Sequence, residues 1–281
     1  MDRKYMFYNI IGRSFDFLAK NLFTFIKCAF FPVVMQILGI ILSLFPCIFL
    51  TVIQKLNGEA LIPYIIPMLI CLIVGIILFC IGFWKYLLLS CYFTLGTNDY
   101  DENKGFYLQI YKNDILKRQG NYAKVLLWAA LFGILIFVAG MLIVFAVSYN
   151  IAKQALPSIL AMAILLMTVA LIWYYVKITF IVPIFTMEKD LKPYDVFLKS
   201  FNMIKGSKFW FIFALGLVVN IITIILELIF AFLASFICSF FISENFIQSI
   251  ANLVSSLVYV LLFPFITSVV MLAYKRMTVN Q

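Results

Sequence analysis

The sequence predicts an all-α polytopic membrane protein with six transmembrane helices, and three observations carry this prediction. Hydrophobic residues make up 65% of the 281 residues and charged residues only 12%, whereas soluble domains are about 45–50% apolar and about 25% charged. The mean hydropathy is +1.11. The charges are spaced so that they leave six apolar tracts, each long enough to cross a bilayer, which takes about 20 residues per helix.

Helices rather than a barrel are expected, because no ten-residue alternating pattern is found and backbone groups in lipid must bond internally. The predicted spans lie at about 22–53, 61–96, 124–150, 155–187, 208–241 and 245–275. Short amphipathic helices at the membrane surface are predicted at about 5–20, 106–118 and 193–205. The whole chain, 1–281, is therefore predicted to form one transmembrane domain.

The basic residues predict the orientation of these spans. Seventeen of the 21 Lys and Arg residues fall on one side, two (Lys55 and Lys153) fall on the other, and two (Lys85 and Lys177) lie inside spans. Because basic residues are retained in the cytoplasm, both termini are expected to be cytoplasmic. The net charge of +9 is then interpreted as affinity for anionic lipid headgroups rather than for nucleic acid.

The residue types present exclude several kinds of site. The chain contains no His, so catalysis by Ser-His-Asp or Cys-His groups is excluded. Its six Cys residues form no C-x-x-C pair, which disfavours zinc and thiol redox sites. Acids and lysines alternate between Glu188 and Lys199, and we interpret this segment as a solvated connector rather than a metal or acid–base cluster. No catalytic residue, metal site or cofactor is predicted.

The chain also contains an internal repeat. A shift of 186 residues aligns Arg13 with Lys199, Ser14 with Ser200 and Phe15 with Phe201. A shift of 92 residues aligns Lys85 with Lys177. These matches predict three helical hairpins, each introduced by an amphipathic helix.

The second copy carries the most distinctive pattern, a span end followed by "EKDLKPYDVFLKSFNMIKGSKFW". This segment resembles a bacterial membrane-protein superfamily that includes the YciC family and the membrane domain of some glycerophosphodiester phosphodiesterases. The motif positions are Pro183, Glu188, Ser200, Gly206 and Trp210. The segments "IIGRSFDFLAKNLFTF" and "NFIQSIANLVSSLVYVLLFPFITSVVMLAYKR" resemble YciC-type ends. The resemblance implies a six-helix protein of the bacterial inner membrane and no particular activity, and no phosphodiesterase catalytic domain is present.

Ionisable residues inside spans are candidates for a functional site. Lys85 and Lys177 lie about ten residues, or about 15 Å, from the cytoplasmic ends of their helices. They either face a cavity that holds an anion or extend their side chains to the headgroups. Glu227 either pairs across the bundle or faces the outer interface. Gly133 and Gly140, seven residues apart, are candidates for a close-packed helix face.

Two functions are consistent with these features. The first is a non-enzymatic bacterial inner-membrane protein that acts in lipid or envelope maintenance, or as a partner subunit in a homo- or hetero-oligomer, with membrane lipids as partners. The alternative is a transporter of small solutes or lipids with a polar pathway lined by Lys85, Lys177 and Glu227. The alternative requires these three side chains to share one cavity.

Overall fold

A computed structural model of the chain describes residues 3–56, 62–150, 156–239 and 244–279. Within these ranges the chain forms helices and no strand. The helices are α1 (Arg3–Leu56), α2 (Ile62–Asp101), α3 (Leu108–Asn150), α4 (Leu156–Ile178), α5 (Ile181–Met187), α6 (Pro193–Met203), α7 (Ser207–Cys238) and α8 (Glu244–Val279). Six of the described segments are long and apolar enough to cross a membrane. The predicted all-α, multi-pass membrane fold is confirmed.

Consecutive long helices pack as three pairs, α1 with α2, α3 with α4, and α7 with α8. These pairs are the predicted hairpins. α8 also packs against α1 and α2 and is the central helix, since half of the residues in its most apolar stretch are buried. Only 6% of the corresponding stretch of α3 is buried, so this stretch presents most of its apolar surface to the surroundings.

Glycines set the close approach of α1 to α2. A Cβ atom added at Gly39 would lie 2.5 Å from the backbone nitrogen of Phe79, and one added at Gly82 would lie 2.8 Å from the carbonyl oxygen of Pro32. Small residues allow such contact between helix backbones in a membrane. Gly133 and Gly140 instead face side chains of α4, Tyr174 and Met167, so they too lie at a close-packed helix face.

Two of the three predicted surface helices are not separate elements. Residues 5–20 are the first part of α1, which continues without a break for 54 residues. Residues 108–118 of the second predicted helix run directly into the predicted span as part of α3. Gly120, just past residues 106–118, is of the residue type that favours a helix end, but it lies inside α3. A glycine in a helix interior costs only about 1 kcal/mol, and no proline or positive φ angle interrupts either segment. At 1.5 Å per residue α1 is about 80 Å long, so it extends well beyond a hydrocarbon core of about 30 Å.

The predicted span at 155–187 is divided in two by Pro183. Proline has no N–H to bond the carbonyl of the residue four positions earlier, and its ring collides with that carbonyl. That residue is Thr179, where α4 has ended and α5 has not begun. Pro183 is the third residue of α5, a position where a missing N–H costs nothing. α5 is almost entirely buried within the bundle, so the end of this span lies among other helices rather than in lipid.

The third predicted surface helix, 193–205, is a separate element as expected. The spacing of Phe197, Phe201 and Ile204 at i, i+4 and i+7 predicts one apolar face. This face is confirmed, because Phe197 and Ile204 are buried while Lys199 and Asn202 are exposed. The helix ends because Gly206 has a φ of +55° and a ψ of −126°, a conformation that residues with a side chain rarely adopt. α7 begins at the next residue.

Candidate functional site

Lys177 lies near the end of α4 and is 93% buried, with a relative exposure of 7%. Its ammonium donates hydrogen bonds to the backbone carbonyls of Phe201, at 3.2 Å, and of Ile204. These carbonyls stand at the C-terminal end of α6, where no intrahelical donor remains. The ammonium also lies 5.1 Å from the ring centre of Phe201. Lys177 is therefore a cap for α6, and neither of the roles considered from the sequence, a cavity cation or a lysine that reaches the headgroups, describes it.

Ser200 completes a reciprocal contact between the same two helices. Its side chain is fully buried, and its hydroxyl donates to the carbonyl oxygen of Lys177 at 3.0 Å. That carbonyl lies in the last turn of α4 and also lacks an intrahelical donor. Each helix thus supplies a side chain that caps the other. We refer to Lys177, Ser200 and the carbonyls of Phe201 and Ile204 as the α4–α6 latch.

A second basic residue caps α5 in the same manner. The guanidinium of Arg118 donates to the carbonyls of Phe185 at 3.0 Å and Thr186 at 3.3 Å. It also lies 4.8 Å from the centre of the Phe185 ring. Asp114, one turn earlier on α3, lies 3.6 Å from Arg118 and 3.0 Å from Lys189. Arg118 lies seven residues after Tyr111, where the spacing of the apolar face of α6 predicts an apolar residue in the middle copy of the repeat. Its capping role explains the exception.

The remaining motif positions are structural as well. Glu188, which follows α5, accepts a 2.7 Å hydrogen bond from the hydroxyl of Tyr274 on α8 and pairs with Lys199 on α6. Pro183 lies in the first turn of α5, and Gly206 directly precedes α7. Trp210 is 67% exposed in the first turn of α7, as expected for an aromatic residue at a membrane interface.

A cluster of acids at the end of α2 connects the first and last helices. Asp101, whose side chain is 5% exposed, pairs with Arg13 of α1 and lies 3.1 Å from Lys275 and 3.7 Å from Arg276 of α8. Its neighbour Glu102 lies outside the spans. We call Asp101 and Glu102 the acidic hub. Sequence reasoning missed it, although three acids within four residues, "DYDE", interrupt the basic side of the chain.

Glu102 shows the electrostatic consequence of this arrangement. Its carboxylate accepts a 2.6 Å hydrogen bond from Lys104 and a 3.2 Å hydrogen bond from Lys275. These two bonds, the one from Lys104 first, lower the pKa of Glu102 to about 2. The same contact raises the pKa of Lys104. Glu102 is therefore ionised throughout the physiological range.

Lys85 has a different environment from Lys177, its counterpart in the repeat. Its side chain is exposed, and its ammonium lies 4.5 Å from the centre of the Phe31 ring. The described residues include no carboxylate paired with it. Its position on the surface is the one expected of a lysine whose ammonium reaches toward the headgroups.

Glu227 lines a groove of about 490 Å³ between α1, α2, α7 and α8. All of its described lining residues belong to segments that are long and apolar enough to cross a membrane. The polar lining residues are Gln36, Tyr86, Glu227, Ser255, Ser256 and Tyr259. The other lining residues are Val and Ile side chains of α1 and α8. The groove thus combines a polar lining with apolar walls.

Two polar groups of the groove lack partners. The side-chain nitrogen of Gln36 is buried and has no hydrogen-bond partner in the described structure. No basic side chain of the described residues pairs with Glu227. A buried donor without an acceptor costs about 1–3 kcal/mol, and charges inside membrane spans mark functional sites by default. These two groups are available to a ligand.

The three predicted site residues therefore occupy three separate places. Glu227 lines the groove, Lys177 belongs to the α4–α6 latch, and Lys85 is exposed beside Phe31. Gln36 and the two tyrosines were not predicted as site residues. Gln36 could have been noticed as a polar residue inside the apolar stretch "PVVMQILGII". The chain matches no protein-family model, no curated protein and no solved structure.

Proposed function

We propose that this chain is a non-enzymatic protein of the bacterial cytoplasmic membrane that binds a membrane lipid in its groove and acts in lipid or envelope maintenance. The observation that carries the proposal is a polar-lined groove that opens within membrane spans. Ile37 and Ile40, which line it, are 47% and 46% exposed, so the groove has an apolar rim. A ligand that enters past such a rim comes from the bilayer rather than from water.

The distribution of basic residues supports a cytoplasmic orientation of both termini. Most Lys and Arg residues of the chain lie in the terminal segments and in the connections that follow the second and fourth predicted spans. Such residues favour the cytoplasmic face and attract anionic headgroups. The resemblance of the 183–210 segment to YciC-type proteins agrees with the same assignment.

The transporter alternative needs Lys85, Lys177 and Glu227 in one cavity, and the described structure does not bring them together. The hydrogen bonds of Lys177 are already made to two carbonyls. No observation therefore favours a pathway through these three residues, and lipid binding remains the function that the geometry supports best.

Native mass spectrometry of the protein extracted in mild detergent tests the proposal. We expect a phospholipid to stay bound after washing that removes annular lipid. Ser256→Phe places a large side chain in the groove and should abolish retention. Val138→Phe alters an exposed position of α3, a helix with no residue among the described lining of the groove, and should not reduce retention. A wild-type protein that emerges free of lipid, or equal retention by the two variants, would overturn the proposed function.

A further inference from the structure

We propose that the groove selects a phospholipid with a primary amine headgroup, whose ammonium pairs with Glu227 and whose phosphate accepts a hydrogen bond from Gln36. This inference rests on the proposed lipid-binding function and deepens it by assigning the headgroup. It uses three features of the groove: its position in the bilayer, its charge and its unpaired donor.

The position of the groove requires an amphiphile. Its rim residues Ile37, Ile40 and Tyr259 are each about half exposed, and all belong to candidate membrane spans. Apolar side chains on a membrane span face acyl chains, so the occupant has to present an apolar part to this rim. A volume of about 490 Å³ lies within the range of about 300–1,000 Å³ that is usual for small-molecule sites.

The charge of the groove requires a cation on that amphiphile. Glu227 is the only charged side chain among the described lining residues. An isolated carboxylate inside a membrane is costly unless it is paired or protonated. A primary ammonium supplies both a positive charge and N–H donors to the carboxylate, and charge-assisted hydrogen bonds of this kind are about twice as strong as neutral ones.

The amide of Gln36 requires an acceptor close to that cation. Its side-chain nitrogen is buried without a partner, and a phosphate oxygen is a strong acceptor. The hydroxyls of Tyr86 and Ser255 on the same lining add further donors for phosphate, whereas the hydroxyl of Ser256 already donates to the backbone carbonyl of Asn252 at 3.0 Å. A carboxylate beside several neutral donors complements a zwitterion that carries an ammonium and a phosphate in one headgroup.

This pairing also predicts which lipids are rejected. A quaternary ammonium such as that of a choline lipid has no N–H to donate, so it forms no hydrogen bond to Glu227. An anionic glycerol headgroup offers no cation at all and leaves the carboxylate unpaired. Because a hydrogen bond to a charged group contributes about 1.5–3 kcal/mol, we expect a preference of at least about tenfold for the amine lipid over either competitor.

The experiment measures retention of ethanolamine, choline and glycerol phospholipids with identical acyl chains. Full-length protein is delipidated, mixed with the three lipids in equal amounts and analysed by native mass spectrometry. Wild-type protein should retain the ethanolamine lipid about tenfold over the others. Glu227→Gln should reduce this preference to about twofold or less, because a neutral amide cannot form the charge-assisted hydrogen bond that a carboxylate forms with an ammonium.

Two further variants test whether the headgroup preference depends on Glu227 itself and whether Gln36 contacts the phosphate. Asp195→Asn makes the same acid-to-amide change on the exposed face of α6 and should leave the preference unchanged. Gln36→Leu should weaken retention of all three lipids alike, because each carries a phosphate. Elution as a single sharp peak in size-exclusion chromatography establishes that each variant is folded.

The outcomes separate the two proposals. If no lipid is retained by wild-type protein, the proposed function fails. If lipid is retained but the three headgroups bind equally, or if Glu227→Gln keeps the wild-type preference, the amine-lipid inference is wrong while lipid binding in the groove stands. A preference for the glycerol lipid would likewise overturn the inference, since it would place a net positive potential in the groove.

Discussion

The two aligned copies of the repeat begin from similar residues and end in different structures. Ser14 and Ser200 are both fully buried, and Arg13 and Lys199 each pair with an acid at or just beyond the end of a helix. Beyond these residues the copies diverge. In the first, α1 continues without interruption, whereas in the second, α6 ends at Met203 and α7 starts at Ser207.

A single aligned position accounts for the divergence. The 186-residue shift places Lys20 opposite Gly206. Lys20 is helical and pairs with Asp16 one turn earlier at 3.0 Å, which favours continuation of the helix. Gly206 adopts a positive φ and separates two helices.

The break explains the different environments of the two aligned lysines. Ending α6 leaves the carbonyls of Phe201 and Ile204 without helical donors, and Lys177 supplies the donors. The 92-residue shift that aligns Lys85 with Lys177 places Gln109 and Lys112 of α3 opposite Phe201 and Ile204. Inside the uninterrupted α3 their carbonyls are already bonded to helical donors. Lys85 therefore has no equivalent acceptors and lies exposed beside Phe31. The comparison shows how one backbone conformation determines whether a lysine in a membrane span is a surface group or a buried cap.

The largest effect is expected from removing the ammonium of the latch. Lys177→Met keeps a long apolar side chain but leaves two carbonyls unpaired, so the free energy of unfolding should fall by about 2–3 kcal/mol. Lys85→Met makes the same change at the exposed counterpart and should alter it by less than about 0.5 kcal/mol. Denaturant unfolding in detergent micelles, followed by circular dichroism, measures both. Equal losses would break the comparison between the two copies.

The next effect concerns the helix break. Gly206→Ala forces a side chain into a conformation that costs about 1–3 kcal/mol, although the space around the Cβ position is empty. Gly120→Ala, at an equally open position inside α3, should instead stabilise the protein by about 0.5–1 kcal/mol. Melting temperatures of the two variants should therefore move in opposite directions. A gain in stability for Gly206→Ala would show that the positive φ angle is not what separates α6 from α7.

A smaller effect is expected from the two buried serines. Ser200→Ala removes the hydroxyl that bonds the carbonyl of Lys177, and the loss should be about 1 kcal/mol. The hydroxyl of Ser14 is equally buried but has no partner in the described structure. Ser14→Ala should thus be neutral or slightly stabilising, since it removes an unpaired polar group. The same unfolding experiment compares them, and a larger loss for Ser14→Ala would contradict the assignment.

The smallest effect on the free energy of unfolding is expected from Glu102, whose contacts are exposed, unlike those of the α4–α6 latch. The folded-state pKa of Glu102, about 2, lies below the ordinary value of about 4.3. Its contribution to stability is therefore present above about pH 4.3 and is lost as the pH falls toward 2. Exposed pairs contribute less than about 1 kcal/mol. The stability difference between wild type and Glu102→Gln should shrink between pH 6 and pH 3, and a constant difference would disprove this role.

The overall fold could be predicted because it depends on local composition. Apolar tracts bounded by charges identified all six spans, and the face of α6 followed from the spacing of Phe197, Phe201 and Ile204. The continuity of α1 and α3 could not be predicted in the same way. An amphipathic helix followed by a span has the same residue pattern whether or not the backbone turns between them. A glycine at the junction does not decide the outcome, since Gly206 adopts a positive φ whereas Gly120 lies inside α3.

The site could be predicted only in part, because it joins residues from four helices. Glu227 was found since a charge in an apolar tract is conspicuous. Its neighbours Gln36 and Tyr86 lie on α1 and α2, and their proximity to α7 depends on helix packing that no local pattern specifies. The partners of Lys177 could not be predicted for another reason. They are backbone carbonyls, which every residue has, so the residue types do not indicate which carbonyls accept the hydrogen bonds.

The acidic hub also has a consequence for the time course of biosynthesis. Glu102 and Lys275 are separated by 173 positions in the chain, and at about 5–20 residues per second the ribosome takes on the order of 10–35 s to reach the lysine. During that interval Asp101 can pair with Arg13, and Glu102 with Lys104, because these partners lie on segments made earlier or immediately afterwards. The α1–α2 hairpin can therefore persist as an early unit, and the arrival of α8 adds the final basic groups that close the bundle.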